Sequence, residues 1–276
     1  MTKNNGMAYD GLWKTEKKEG ENGDVKDGNI ILSVAKAMEL LQVLNRMETP
    51  ASLTELSEHC GYPKSTVFGL LTTMRAYDVV TQTADGKYAL GLRLFEYGSQ
   101  AARFVSISPI ARPYMEHLQQ QTGGTVLLSV WDGEGVLILD QIEEREQLRV
   151  ASDIGIRLPA YATSQGKVFL AHMPRREAEA FLNRQTRIPF TPHTILDVPE
   201  LMREIDACRT NGYAAEDGEY KVGLRSISAP IYQKEGKLRY TIGVIDLFHG
   251  IQSEEFQTAI QQVCAAADMI SAVLRA

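Results

Sequence analysis

The sequence contains no apolar run near the roughly 18 residues that a membrane-spanning helix requires. At the N-terminus, Lys3 and two asparagines are not followed by the apolar segment of a secretory signal. Both absences favour a cytoplasmic protein without a membrane partner.

Cysteine and paired histidine are also scarce. The three cysteines, Cys60, Cys208 and Cys264, are odd in number and far apart, which excludes a full disulfide framework and a CxxC site. We expect three reduced, mostly packed thiols. The five histidines form no HxxxH or HxH pair, so a zinc site would need ligands that are distant in sequence. No metal and no cofactor is predicted.

A surplus of positive charge is missing as well. The chain has a formal net charge of −6, and residues 28–90 contain five basic and six acidic residues, so 5 − 6 gives −1. A large basic face for phosphate is therefore not indicated. Any case for nucleic-acid binding has to come from the pattern of residues.

The first regular pattern begins near residue 30. Residues 1–27 are rich in Gly, Asn, Lys, Glu and Asp and are predicted to form a disordered tail. From Ile30 onward, apolar residues recur every three or four positions, which predicts a helix with Ser33 as its N-cap. Its inward face is assigned to Val34, Ala37, Met38, Leu41 and Leu44.

Two more helices and a hairpin follow in quick succession. A second helix begins at Ser52 or Thr54, and the Gly61-Tyr62-Pro63 turn separates it from a third helix over 64–76. The third helix turns four apolar residues inward: Val67, Leu70, Leu71 and Met74. A β-branched stretch and an Asp85-Gly86 turn then predict a β-hairpin. This order is that of a winged helix-turn-helix domain.

The winged helix-turn-helix is assigned to residues 28–90, a linker helix to 91–106 and a second domain to 107–276. In the second domain, strands are expected at 125–130, 135–140, 226–232 and 239–247. Helices are expected at 109–121, 164–183 with a break at Pro174 as one alternative, 197–211 and 253–274. Hairpin-linked strands flanked by helices indicate an α+β domain rather than a doubly wound parallel sheet.

Four sequence blocks carry a resemblance to a known family. They are GYPKSTVFGLLTTM (61–74), KYALGLRLFEYG (87–98), LPAYATSQGKVFLA (158–171) and GYAAEDGEYKVGLRSISAPI (212–231). In this order and spacing they resemble the IclR family of bacterial transcription regulators, and the resemblance covers residues 28–276.

The resemblance implies a multidomain α+β protein with an N-terminal winged helix-turn-helix, a linker helix and a C-terminal GAF-like α/β effector-binding domain. It implies a ligand-responsive regulator of a catabolic operon, most commonly a repressor. The implied partners are double-stranded operator DNA, a small-molecule effector and further copies of the chain, as a homodimer or a dimer of dimers.

The start of the third helix is the predicted recognition element, because the major groove admits a helix. Six residues are assigned to DNA binding: Lys64, Ser65, Thr66, Phe68, Arg75 and Lys87. Helix capping is an equally weighted role for Ser65 and Thr66. The family usually carries an arginine where this chain has Gly69, so either the helix approaches DNA closely there or affinity comes from elsewhere.

The resemblance places effector contacts on eight residues: Leu158, Ser164, Gln165, Glu216, Leu224, Ser226, Val244 and Asp246. Ser226 stands where the family prefers cysteine. A carboxylate of Asp246 beside Glu216 would repel an acidic ligand, which favours a sugar, polyol or amine over a small organic acid. The alternative is that Asp246 points to solvent or pairs with Arg225. Lys167 is interpreted as a structural ion-pair partner.

Two other function classes remain open. Asp217, Glu219 and Asp246 are candidates for acid/base chemistry or a Mg²⁺ site in an α/β enzyme. No GxSxG, GxxxxGK[ST], HExxH or complete GxGxxG motif accompanies them, so no enzyme is expected. The other class is a winged helix that mediates protein assembly, which would show no salt-dependent DNA binding.

Overall fold

The computed structural model describes residues 30–104, 107–143 and 154–276, except for the side chains of 102–104. These residues divide into an N-terminal unit that ends at 104 and a C-terminal unit that begins at 107. The predicted tail, 1–27, and the end of the predicted linker helix, 105–106, lie outside the described residues. In the described part of the chain, no helix is both long and apolar enough to cross a membrane.

The N-terminal unit has the predicted order of elements. It contains α1 (Leu32–Arg46), α2 (Leu53–Cys60), α3 (Lys64–Ala76), β1 (Val80–Gln82), β2 (Tyr88–Leu90) and α4 (Leu92–Phe104). Strands β1 and β2 pair antiparallel as a hairpin. The core is formed by apolar side chains of α1, α2, α3 and the hairpin: Leu40, Leu44, Ala51, Leu56, Val67, Leu71, Met74, Val80 and Tyr88. The predicted winged helix-turn-helix fold is confirmed.

The boundary between α2 and α3 is fixed by local hydrogen bonds and one glycine. Ser52 and Glu55 form a reciprocal capping box that starts α2, which confirms Ser52 as the cap. Gly61 ends α2 with φ +68°, a conformation that residues with a Cβ rarely adopt. Pro63 stands at the N-cap of α3 rather than at its first helical position.

The predictions for α1 were wrong in two respects. The helix begins at Leu32 with Ile31 as its N-cap, so Ser33 does not cap it. Val34 and Met38 are more than half exposed, while Leu40 and Leu44 are buried. This helix carries apolar residues on two faces, and periodicity alone does not say which face packs inward.

The C-terminal unit is a six-stranded antiparallel sheet in the order β5-β4-β3-β8-β7-β6. Its strands are β3 (Thr125–Trp131), β4 (Val136–Ile142), β5 (Arg157–Leu158), β6 (Ala214–Asp217), β7 (Arg225–Tyr232) and β8 (Leu238–Asp246). Its helices are α5 (Ser108–Thr122), α6 (Ser164–Ala171), α7 (Arg175–Arg184), α8 (Val198–Asn211) and α9 (Glu254–Arg275). The predicted α+β fold is confirmed, and the 164–183 segment is broken before Pro174.

Helices cover both faces of this sheet. Helices α5 and α9 pack against β3, β4, β7 and β8, and α6 packs against β6, β7 and β8. Helix α8 packs on α6. Helix α6 therefore lies between α8 and strands β6, β7 and β8 of the sheet.

Candidate functional site

Three exposed side chains lie along one stripe of α3: Lys64, Phe68 and Arg75. Spacings of four and seven residues keep them on one side of a helix, over roughly 16 Å. The buried residues Val67, Leu71 and Met74 occupy the adjoining face of the helix, next to this stripe. The stripe presents two cations and an aromatic ring to solvent.

The other three predicted DNA-binding residues, Ser65, Thr66 and Lys87, lie outside this stripe. Ser65 is exposed and Thr66 is half-buried. Neither hydroxyl makes a hydrogen bond within the described residues, and Pro63 is the N-cap, so the capping role predicted as one alternative is wrong. Lys87 lies in the hairpin turn, where its Nζ is 3.7 Å from an Asp85 carboxylate oxygen.

Gly69 is exposed on α3, and a Cβ built at this position would meet no atom within 4 Å. The protein itself therefore imposes no steric need for glycine here. A glycine inside a helix also costs about 1 kcal/mol relative to alanine.

The N-terminus of α6 is built by two close contacts. Thr163 caps the helix, with its Oγ1 accepting from the Gly166 amide. A Cβ at Gly166 would lie 2.1 Å from the Ala160 carbonyl oxygen, so only glycine allows this approach. Ser164 and Gln165, the first two helical residues, are fully buried.

The polar groups of Ser164 and Gln165 are incompletely paired. The Ser164 hydroxyl contacts two serine hydroxyls of β7, those of Ser226 and Ser228, each at 2.8 Å. The Gln165 Oε1 atom lies 3.4 Å from the Ser164 hydroxyl. The Gln165 Nε2 group is buried and has no hydrogen-bond acceptor within the described residues. An unpaired buried donor is costly, so the site is suited to a group that accepts hydrogen bonds.

Glu216 closes this cluster from β6. Its Oε1 accepts from the amides of Glu219 and Tyr220, and its Oε2 accepts from the Ser226 hydroxyl at 3.1 Å. Burial, reinforced by the Glu219 carboxylate, raises the pKa of Glu216 to about 7. Glu216 is therefore a carboxyl group that changes charge near neutral pH.

Side chains alternate between the two faces of the sheet, and the serine contacts identify the faces. Ser226 and Ser228 turn toward α6, because both hydroxyls contact Ser164. Ile227, between them, faces the layer of α5 and α9. Glu216 pairs directly with Ser226 and shares its face.

Val244 and Asp246 lie on the other face, so their predicted place beside Glu216 is wrong. In the register between β7 and β8, Val244 lies opposite Ile227, and Asp246 lies opposite Arg225. A one-residue difference in strand register exchanges the two faces. The residues of β8 on the Glu216 face instead include Thr241, Gly243 and Ile245. Asp246 therefore supplies no second carboxylate beside Glu216 that would repel an acidic ligand.

The predicted apolar walls are placed differently from each other. Leu158 is buried in a cluster on the α6 side of the sheet. Its further members, which sequence reasoning missed, include Leu127, Phe169, Tyr220 and Ile245. Leu224 is half-buried in the turn before β7, where its carbonyl accepts from the Gly218 amide. Strand alternation indicates such residues only once the register is known.

The acidic residues considered for catalysis each bind a different partner. Glu219 Oε1 lies 2.5 Å from the buried Lys167 Nζ, which confirms the predicted ion pair. Asp217 lies 2.6 Å from Arg225 Nε, and Asp246 accepts from the Leu247 amide. Within the described residues, no group of three or more His, Cys, Asp or Glu side chains is placed to hold a metal ion.

Comparison with known proteins follows this division of the chain. Residues 33–84 match the family model "IclR helix-turn-helix domain", and residues 99–272 match "Bacterial transcriptional regulator IclR C-terminal". The chain belongs to the IclR family. It is 30% identical to the regulator XynR of Escherichia coli, over 89% of this chain and 98% of XynR. It is 32% identical to KdgR of the same species, over 91% of this chain and 96% of KdgR.

A solved IclR-family regulator from Alicyclobacillus acidocaldarius has the same fold, with a TM-score of 0.76 at 26% identity, over 88% of this chain and 98% of that one. The IclR-family relatives are named as transcription regulators and repressors. The chain is thus a DNA-binding, ligand-responsive transcription regulator rather than an enzyme or an assembly module.

The raised pKa of Glu216 predicts that stability falls as pH rises. A carboxyl whose folded pKa lies above its ordinary value stabilises the fold below that ordinary value, and this contribution is lost as pH rises through about 7. Between pH 5 and pH 8 the free energy of unfolding should fall by about 2 kcal/mol through this group. Urea titrations of wild type and Glu216→Gln across this range measure the effect. An equally steep loss in Glu216→Gln would show that another group is responsible.

Proposed function

We propose that this regulator is a homodimeric repressor of a catabolic operon, released from operator DNA by a small organic acid bound at the N-terminus of α6. Residues 28–90 bind DNA, 91–106 form the linker helix and 107–276 sense the effector. An effector shifts DNA affinity only by binding two arrangements of the subunits unequally. The linker is suited to this coupling, because it joins the DNA-binding domain to the sensor.

On the DNA side, the stripe of Lys64, Phe68 and Arg75 supports the assignment of α3 to the major groove. Lys64 contacts a phosphate or guanine, and Phe68 contacts a thymine methyl group. Ser65 and Thr66 contribute hydroxyls at the start of the same helix, and Lys87 approaches the backbone from the hairpin.

Replacing Lys64 with alanine should weaken operator binding several-fold and reduce the slope of log affinity against log salt by about one. Fluorescence anisotropy with an operator duplex at several salt concentrations measures both quantities. Lys234→Ala, at an exposed site in the C-terminal unit, serves as the control. An unchanged salt slope in Lys64→Ala would remove Lys64 from the phosphate contacts.

Exposed apolar residues on α1 and α4 support self-association. On α1 they include Leu32, Val34 and Met38, and on α4 Leu92 and Phe95 are 83% and 75% exposed. Exposed apolar surface often marks an interface. A second copy of the chain is the partner that gives a two-fold operator complex, and the dimer of dimers is the other assembly to be distinguished by mass measurement.

On the effector side, the observation that carries the proposal is the unpaired, buried Nε2 of Gln165. The amides of Ser164 and Gln165, in the first turn of α6, also have no acceptor within the described residues. These three donors and the positive end of the helix dipole all favour a carboxylate. Glu216 opposes such a ligand little, because it is protonated in part of the population near pH 7.

A solved IclR homologue of Microbacterium hydrocarbonoxydans, 24% identical with a TM-score of 0.74, is complexed with 4-hydroxybenzoate. The same fold can thus hold a small aromatic acid, which supports this class of ligand here. Leu158, Ile245 and Tyr220 provide apolar surface for the body of such a molecule.

Calorimetry with matched pairs tests the ligand class. The pairs are 4-hydroxybenzoate with 4-hydroxybenzyl alcohol, and pyruvate with hydroxyacetone, together with a panel of sugars and polyols. We expect acids to bind and their neutral counterparts to fail. Gln165→Glu should abolish acid binding, while Asp246→Asn, on the other face of the sheet, should retain it. Binding of sugars or polyols without any acid would contradict the proposal.

A further inference from the structure

A chain of hydroxyl groups connects Glu216 to the N-terminus of α6. Ser226 Oγ lies 3.1 Å from Glu216 Oε2, and Ser164 Oγ lies 2.8 Å from both Ser226 Oγ and Ser228 Oγ. All four residues are buried. Each serine hydroxyl has a single proton to donate, so the direction of one hydrogen bond fixes the direction of the next.

When Glu216 is ionised, every hydroxyl donates toward it. Ser226 donates to Glu216, Ser164 donates to Ser226, and Ser228 donates to Ser164. Ser164 then has no proton left for Gln165. The side-chain amide of Gln165 is held best with its Nε2 toward Ser164, which turns its oxygen toward the ligand.

When Glu216 is protonated, the chain reverses. Glu216 donates to Ser226, and Ser226 donates to Ser164. Ser228 still donates to Ser164, so the Ser164 proton is left for Gln165 Oε1. The structure has this last contact, at 3.4 Å, and leaves Gln165 Nε2 without an acceptor. In this state Gln165 offers its N–H donors to the ligand.

We propose that Glu216 acts through Ser226 and Ser164 as a positioning residue that sets whether Gln165 presents donors or an acceptor to the bound effector. The ligand role rests on the proposed function, whereas the hydroxyl chain exists without it. The site then binds an acid when Glu216 is protonated, and it selects a ligand that donates hydrogen bonds when Glu216 is ionised.

The charged residues that the structure describes around Glu216 are paired with one another, and none of them forms an ion pair with Glu216. Glu219 is paired with Lys167, whose Nζ is also 3.6 Å from Glu204 on α8. Asp217 on the neighbouring position of β6 is paired with Arg225 of β7. In the described part of the chain, Glu216 itself is held by amides and a hydroxyl and by no cation. Its protonation is therefore set by burial, by the nearby Glu219 carboxylate, by the two backbone amides and by the hydroxyl chain.

The test is a ¹³C NMR titration of the ligand-free full chain labelled with ¹³C-glutamate, with the Glu216 signal assigned by its loss in Glu216→Gln. Ser226→Ala removes a direct donor and should raise the titration midpoint of Glu216 by about one pH unit. Ser164 makes no hydrogen bond with Glu216. Ser164→Ala should nevertheless raise the midpoint by roughly a fifth of the shift in Ser226→Ala, because hydrogen bonds in a chain polarise one another. Ser228→Ala should give a smaller shift in the same direction.

Ser129→Ala is the matched control. Ser129 is a buried serine of β3 on the same sheet face, and its hydroxyl has no hydrogen-bond partner within the described residues. This variant should leave the Glu216 midpoint unchanged. If Ser164→Ala and Ser228→Ala both titrate like wild type, the proposal is overturned. The titration is done without ligand, so its failure would not bear on whether the protein binds acids. Failure of acid binding in calorimetry would likewise not change the titration result.

Discussion

Replacing Lys167 with methionine should lower the free energy of unfolding at pH 8 by about 3–5 kcal/mol. Lys167 is buried on α6, and its Nζ lies 2.5 Å from the buried Glu219 carboxylate. Methionine keeps the length of the side chain but leaves that carboxylate without its cation. Burial already raises the pKa of Glu219, against the effect of Lys167. The loss should therefore be smaller at pH 5, where Glu219 takes up a proton in the variant.

Urea unfolding of the purified chain at both pH values measures this effect. The double variant Lys167→Met, Glu219→Gln should recover much of the lost stability, because it removes the unpaired charge. Lys237→Met, at an exposed position, should change the free energy of unfolding by less than about 0.5 kcal/mol. A loss in Lys167→Met that is the same at pH 5 and pH 8 would contradict the ion-pair explanation.

Replacing Gly69 with arginine should tighten operator binding between about tenfold and a hundredfold, which corresponds to one good base or phosphate contact. Gly69 is exposed on α3, and a side chain there meets no protein atom within 4 Å of its Cβ. Anisotropy titrations should also show a steeper dependence of affinity on salt if the new contact is to phosphate.

Two control variants distinguish a direct DNA contact by the new arginine from the effects of higher helix stability and of added charge. Gly69→Ala should stabilise the domain by about 1 kcal/mol and leave affinity unchanged. Gln42→Arg adds the same charge at an exposed position of α1, away from the recognition helix, and should have little effect. Weaker binding by Gly69→Arg would instead mean that the DNA backbone approaches α3 so closely that only glycine fits.

The sequence predicts the N-terminal domain well because its signals are local. The Ser52 cap, the Gly61-Tyr62-Pro63 turn and the apolar period of α3 each depend on a few adjacent residues, and α3 lies at the predicted 64–76. The inward face of α1 was wrong because two of its faces are apolar. Packing against α2 and α3 then decides which face is buried, and no local signal records that choice.

At the effector site too, sequence signals do not record which face of an element is turned inward, and here the deciding contacts are between strands. Ser164, Gln165, Glu216 and Ser226 come together as the family resemblance implies. Val244 and Asp246 do not join them, because pairing between β7 and β8 places both on the opposite face. Strand register is a tertiary property, and an error of one residue reverses every side chain of the strand. That single difference changes the favoured ligand from a sugar or polyol to an acid.

The central claim is that an acid bound at the N-terminus of α6 releases the regulator from DNA. Its most direct test is anisotropy of an operator duplex, found by footprinting upstream of the neighbouring operon, titrated with full-length protein with and without the acid that binds in calorimetry. The acid should weaken DNA binding of wild type and Asp246→Asn at least about tenfold, within the usual range of coupling between sites, and leave Gln165→Glu unaffected. A Gln165→Glu variant that responds to the acid like wild type would contradict it.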